Sequence, residues 1–275
     1  MLRSGSAPAL PTETTSIDRA TSASRLRIGA GRAATHQQAH LEGGVGPSPC
    51  EAYAALIEET FDDLLDEVDL TEEWKLIKEE LGVKVSKKTL AENGSVNCMR
   101  GDADLQCSAQ EFRQLVLQAD RWREWDIFAA ASRRVRDLEP DTPGHTGIVH
   151  ITYSAPWPLN SRDVCVVMSS REYEDGTVIV IARSVADDNC PEINGTVRAE
   201  LLSSGYVITP RDEGGIHVAY ILQIDFKGRI PSWITNILSM EMPKSLSRVG
   251  KCIIREREQF LQPRQNKQRR ASTSS

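Results

Sequence analysis

From Cys50 onward, apolar residues recur at three- and four-residue steps, Tyr53, Leu56, Ile57, Phe61, Leu64, Leu65 and Val68, with acids between them. That spacing predicts an amphipathic helix. Thr71-Glu72-Glu73-Trp74 has the form of a helix start and Gly82 that of a helix stop, so a second short helix is expected between them. The period then shortens to two. Val83-Lys84-Val85-Ser86-Lys87 alternates, the run Val96 to Leu105 is placed to pair with it, and Asn93-Gly94 supplies a hairpin turn. Ser108-Ala109-Gln110-Glu111 opens another helix, which carries Phe112, Leu115 and Val116 and runs into Trp122-Arg123-Glu124-Trp125-Asp126. Strand-like runs follow near 127–138, 146–153, 162–171, 177–184, 196–202, 205–210 and 215–226. The last element is helical again, from Ser232 to about Phe260, with Pro243 expected to kink it. Residues 1–49 have no apolar period and read as a disordered tail, and 261–275 read as a basic disordered tail. Between them, residues 50–260 form the folded part: helices, a meander of roughly nine antiparallel strands, then a long terminal helix. This is an α+β architecture.

Composition excludes some functions without choosing one. A chain of 275 residues, 40% hydrophobic, buries a core without disulfides or metal. A net charge of −6 counts against nucleic acid as a partner. The apolar run Val178-Ile179-Val180-Ile181-Ala182 is far short of the ~20 residues that span a bilayer. The six cysteines are widely spaced, form no C-x-x-C pair and read as reduced thiols in a cytoplasmic, monomeric protein. Arg3, Arg19, Arg25, Arg27 and Arg32 make the tail Arg-rich as well as Ser-rich, which also suits an organelle transit peptide; Glu13 and Asp18 count against that reading. Gly29-Ala30-Gly31-Arg32-Ala33-Ala34 fits a loose dinucleotide fingerprint but follows no strand. The chain has no G-x-S-x-G, H-E-x-x-H or Walker loop, and His145, His150 and His217 are isolated. We therefore expect no catalytic residues, no cofactor and no metal.

Several strands are apolar at consecutive positions, as in Cys165-Val166-Val167 and Tyr220-Ile221-Leu222. Such a sheet must be covered on both faces or curl around an interior. With one long late helix available as cover, a curved sheet closed by that helix is expected, its interior either filled by side chains or open to a ligand.

Five stretches then carry a resemblance: Trp122-Arg123-Glu124-Trp125-Asp126, Tyr153 through Asp163 (containing Pro156-Trp157-Pro158), Ile181-Ala182-Arg183-Ser184-Val185, Gly195 through Glu200, and Asp225 through Trp233. In this order and at these spacings, residues of about 70–260 resemble the START domain, a lipid-transfer module. The resemblance implies a helix-grip fold in which the sheet encloses a tunnel for one lipid, a phospholipid or a sterol-like molecule, with the C-terminal helix as lid. It implies a lipid site at Trp125, Asp126, Tyr153, Val166, Met168, Ile181, Arg183, Tyr220, Leu222, Trp233, Ile237 and Met240. Arg162-Asp163 reads as an architectural, buried ion pair. The chain departs from the family's ligand positions at Met168, Trp122, Ile151 and Val164, which leaves neither the arginine fork nor the aromatic cage of phosphocholine recognition and favours a ligand with a small polar end. On the last helix, Met242, Leu246, Val249 and Ile253 share a face, and Lys244, Arg248, Lys251 and Arg255 share another about 200° away. That basic face, opposed to an acidic first helix, is expected to dock on anionic membrane. The function expected is uptake of a lipid and its transfer between membranes. The rival readings are a lipid-sensing regulatory domain and a cyclase-like enzyme on the same scaffold.

Removing residues 1–49 is expected to leave the melting temperature within a few degrees of the full chain's in thermal unfolding followed by circular dichroism. Aggregation of the truncated chain would place the domain boundary earlier.

Overall fold

Helix α1 (Ala54–Asp69) forms over the stretch with three- and four-residue apolar spacing, and it buries Ile57, Phe61 and Leu64. It belongs to a computed structural model that describes residues 51–89, 96–139, 145–155, 159–228 and 230–272, all within the unit Gly46–Ser275. The tail 1–49, the Asn93-Gly94 turn and Pro156-Trp157-Pro158 lie outside the described residues.

The second helix expected up to Gly82 does not form. A single 3-10 turn, Thr71–Glu73, is followed by strand β1 (Lys75–Glu80). Leu81 and Gly82 both have positive φ, 55° and 74°, and they fold β1 back on β2 (Val83–Thr89) with Glu80 opposite Val83. Two such residues make a primed hairpin turn, so the glycine that resembles a helix stop marks a hairpin instead.

The remaining strands are β3 (Val96–Leu105), β4 (Ala129–Asp137), β5 (Gly147–Tyr153), β6 (Arg162–Glu172), β7 (Val178–Ser184), β8 (Val197–Arg198), β9 (Glu200–Leu201), β10 (Ser204–Pro210) and β11 (Ile216–Asp225). They form one sheet in the order β1-β2-β3-β11-β10-β7-β6-β5-β4. The nine strands of this path pair antiparallel with their neighbours, but not in the simple meander expected, since β3 pairs with β11 and β4 ends the path. The run 196–202 is split into β8, parallel to β6, and β9, beside β11.

Alternation along the strands sorts the apolar residues into two clusters. Val164, Val166 and Met168 of β6 and Val178, Val180 and Ala182 of β7 lie in an inner cluster, and Cys165, Val167, Ile179 and Ile181 lie in an outer one. Both faces are covered. The outer cluster includes Ile57, Phe61 and Leu64 of α1, so the first helix, and not only the last, shields the sheet. The acids of α1 are partly counter-ions to it: Asp63 lies 3.3 Å from Arg183 and Glu67 2.7 Å from Lys88.

On the inner face, α2 (Ala109–Leu117) starts with the capping box of Ser108 and Glu111 that its sequence predicts. The terminal helix is two helices, α3 (Ser232–Glu241) and α4 (Ser245–Ser272). The change at Pro243 is thus a break rather than a kink, because proline has no amide hydrogen to continue the ladder. The helical backbone of α4 also continues beyond Phe260 to Ser272, correcting the disordered tail expected there. Its Glu, Arg, Gln and Lys residues are good helix formers. Buried Leu246, Val249, Cys252 and Ile253 fix the first turns of α4 in the inner cluster. Pro243 sits close over β3, where a Cβ added at Gly101 would stand 2.8 Å from the proline Cβ. Replacing Gly101 with Val is expected to cost roughly 1–3 kcal/mol in urea unfolding, since either the break or the strand must move. An unchanged midpoint would show that the break is loosely seated.

Candidate functional site: an apolar interior under the last helices

Two cavities lie between the inner sheet face and the C-terminal helices. The larger, about 120 Å³, is walled by Phe128, Leu159, Arg162, Phe226 and Ile230 together with Trp233, Ile234, Ile237 and Leu238. The smaller, about 30 Å³, is walled by Trp122, Ile151, Val164, Met168, Val180, Tyr206, Tyr220 and Leu222. Tyr153 and Met242 border both. The strand walls follow from alternation: Val164 and Met168 are two turns of the pleat apart on β6, as Tyr220 and Leu222 are adjacent on the inner face of β11.

The smaller cavity has one polar end. The rings of Tyr206 and Tyr220 stack with centroids 4.6 Å apart, and Phe112 meets Tyr206 edge-on at 5.4 Å. Burial, reinforced by the nearby Asp126 carboxylate, raises the phenols of Tyr153, Tyr206 and Tyr220 above their ordinary value, so all three remain neutral. The Asp126 carboxyl is itself raised by desolvation, although it accepts the Phe128 amide hydrogen at 3.0 Å and feels the Arg248 cation. The Trp122 indole N–H is already committed to the Val116 carbonyl at 2.8 Å.

Of the residues expected at the site, Tyr153, Met168, Tyr220 and Leu222 wall the smaller cavity, and Trp233 and Ile237 wall the larger. Ile181 borders the smaller cavity from its strand, although it belongs to the outer cluster. Val166 and Trp125 are buried in the inner cluster without reaching either wall. Met240 is half-buried on α3 and borders neither cavity. Arg183 is misplaced in the sequence reading: its odd position on β7 turns it to the outer face, where it meets Asp63 at 3.3 Å and donates to the Ser203 hydroxyl at 3.1 Å.

The basic face of α4 also needs correction. Lys244 is buried, 5% exposed, between Glu241 and Glu80. Arg248 pairs with Glu241 at 3.0 Å and the exposed Arg255 with Glu124 at 2.9 Å, while Lys251 is exposed too. Helical spacing placed these residues on one face, but it could not reveal the acids brought to that face by β1, α3 and the 3-10 turn Ala119–Glu124.

The sequence reading missed Ile230, Ile234 and Leu238, whose four-residue steps, continued by the expected apolar-face residue Met242, were a usable helical signal, and Tyr206, which shares its parity on β10 with buried Ser204 and Ile208. Phe128 and Leu159 lie in connecting segments and have no periodic signal.

Residues 56–257 match the family model of the START domain. An uncharacterized protein of Pseudomonas aeruginosa is 28% identical over 176 residues, 63% of this chain and 83% of that protein. The ENHANCED DISEASE RESISTANCE 2-like protein of Arabidopsis thaliana is 29% identical over 167 residues, 56% of this chain but only 23% of that much longer protein. Among solved structures, human StAR-related lipid transfer protein 5 superposes with a TM-score of 0.62 at 22% identity, covering 77% of this chain and 99% of that one. This likeness shows the shared helix-grip fold.

The raised Asp126 carboxyl has a signed consequence. Because the folded state holds this proton more tightly than the unfolded chain, stability is lost as pH rises from the ordinary carboxylate range through the folded value. Asp126→Asn lacks that loss. It is expected to be more stable than the wild type at pH 7, with the difference vanishing in acid. Urea midpoints across pH measure this, and a variant less stable at pH 7 would mean that the charged form is favoured in the fold.

Proposed function

The chain belongs to the START-domain family, and from this footing we propose that it takes up one lipid between the inner sheet face and α3 and releases it at a membrane without making or breaking a bond. The observation that carries this reading is the pair of apolar cavities whose walls meet at Tyr153 and Met242 beneath a short, separately hinged helix. The name of the human protein with the similar fold, a StAR-related lipid transfer protein, supports it.

Cavities of about 120 and 30 Å³ are smaller than the ~300–1,000 Å³ of typical ligand sites. Uptake therefore requires α3 to swing outward. The break at Pro243 allows this while α4 stays packed. Trp233 and Ile237 wall the larger cavity and yet are 58% and 46% exposed, an arrangement costly in water and favourable against a bilayer. We assign membrane contact to this apolar lip, with exposed Lys251 as an accessory charge. Each Å² of lipid chain withdrawn from water contributes about 25 cal/mol, so the partition is driven by the walls themselves. A phosphocholine group would find no cage among Trp122, Ile151, Val164 and Met168, which present no charge and one aromatic ring to the smaller cavity.

Native mass spectrometry of the purified full chain is expected to show one co-purifying lipid, and labelled vesicles are expected to exchange lipid in its presence. Replacing Leu222 or Ile237 with Trp should lower lipid occupancy several-fold, a larger effect than on the urea midpoint. Full occupancy in both variants would place the ligand elsewhere. Occupancy without exchange would favour the sensing domain.

A further inference from the structure

Arg162 and Asp163 look like an ion pair in the sequence, but consecutive strand residues point to opposite faces. Asp163, fully buried with the outer cluster side, lies 2.8 Å from His150 Nε2 and 2.8 Å from an Arg198 guanidinium nitrogen. Arg162 turns inward, is 7% exposed and walls the larger cavity. Its guanidinium donates to three backbone carbonyls, those of Asn160 at 2.5 Å, Lys227 at 3.3 Å and Phe226 at 3.4 Å. Among the described residues it has no carboxylate partner. Asp225 and Glu200 are both paired with Lys227. Burial alone perturbs the group, and downward, as expected for a cation without a counter-ion. An arginine is nonetheless charged at neutral pH, and its five donors exceed the three bonds it makes.

The polar groups of the two cavities therefore differ in character. The smaller cavity holds the neutral phenols of Tyr153, Tyr206 and Tyr220, whereas the end under α3 holds a guanidinium with no carboxylate partner among the described residues, set beside Phe128, Phe226, Ile230 and Trp233. We propose that Arg162 recognises the anionic end of the ligand, so that the lipid taken is an alkyl or acyl chain carrying a carboxylate or a phosphate ester, bound with its charge under α3 and its chain toward Leu222. This inference rests on the lipid-binding reading and names the ligand class for that site. A buried cation whose neutralisation comes only from carbonyl dipoles leaves a favourable place for a negative oxygen, and a guanidinium presents two parallel N–H groups to either oxyanion.

Three probes with the same sixteen-carbon chain test this on the purified full chain: palmitate, hexadecyl phosphate and hexadecanol, titrated at pH 8 and followed by native mass spectrometry. Both anions are expected to bind about ten- to a hundredfold more tightly than the alcohol, as charge-assisted hydrogen bonds imply. Arg162→Lys should reduce this preference and Arg162→Met should abolish it while hexadecanol still binds. Because Arg162 also ties two loops together, the wild-type preference decides the matter if the Met variant does not fold. Hexadecanol binding as tightly as both anions would overturn the inference and leave the lipid reading standing. Failure of all three to bind would overturn both, and preference for one anion alone would identify the oxyanion that Arg162 takes.

Discussion

Because side chains alternate along a strand, a sheet that is apolar at consecutive positions has two dry faces, and each needs its own cover. In this chain the two covers have different consequences. The outer face is closed by α1, whose Phe61 and Leu64 are fully buried and whose acids meet the basic side chains Arg183 and Lys88 of the sheet. The inner face is closed by α2 and by the two C-terminal helices, and it retains two cavities. The strand residues Val164, Met168, Tyr220 and Leu222 owe their place at the cavity wall to the face their parity selects. Arg162 and Asp163 are the sharpest instance, adjacent in sequence and separated by the thickness of the sheet.

The same parity governs how much of the molecule was legible beforehand. The main strands were visible as period-two or continuous apolar runs, and the capping box fixed the start of α2. The segment 71–82 misled because Thr71-Glu72-Glu73-Trp74 has the form of a helix start and Gly82 that of a helix stop, while the deciding feature is the paired positive φ at Leu81 and Gly82. Tyr153, Tyr220 and Leu222 could be assigned to an interior once the family resemblance supplied one. Arg183 could not be placed, since a run apolar on both faces gives no sign of which face is the inner one. The basic stripe on α4 was legible as a stripe, but its neutralisation by Glu80, Glu124 and Glu241 is a tertiary fact, assembled from distant parts of the chain.

Polar groups in the interior show a similar division. The Tyr206–Tyr220 pair is stacked and neutral, whereas Arg162 relies on three carbonyls. The first arrangement places no charge in the wall. The second leaves a full charge in a largely apolar wall, and its stabilisation depends on the two loops that frame the space under α3.

The seating of Pro243 against Gly101 acts as a fulcrum. On one side of it, α4 is held by Leu246, Val249 and Ile253, all deep in the inner cluster. On the other, α3 presents a lever arm ten residues long, anchored at its near end by the Glu241, Lys244 and Arg248 ion pairs. On the proposed opening, a lever pivoting on the sheet would expose the interior while Leu246, Val249 and Ile253 stay packed, and the barrier to opening and the barrier to unfolding would then be set by different residues. Selection or engineering can then adjust how quickly the interior opens at nearly constant global stability.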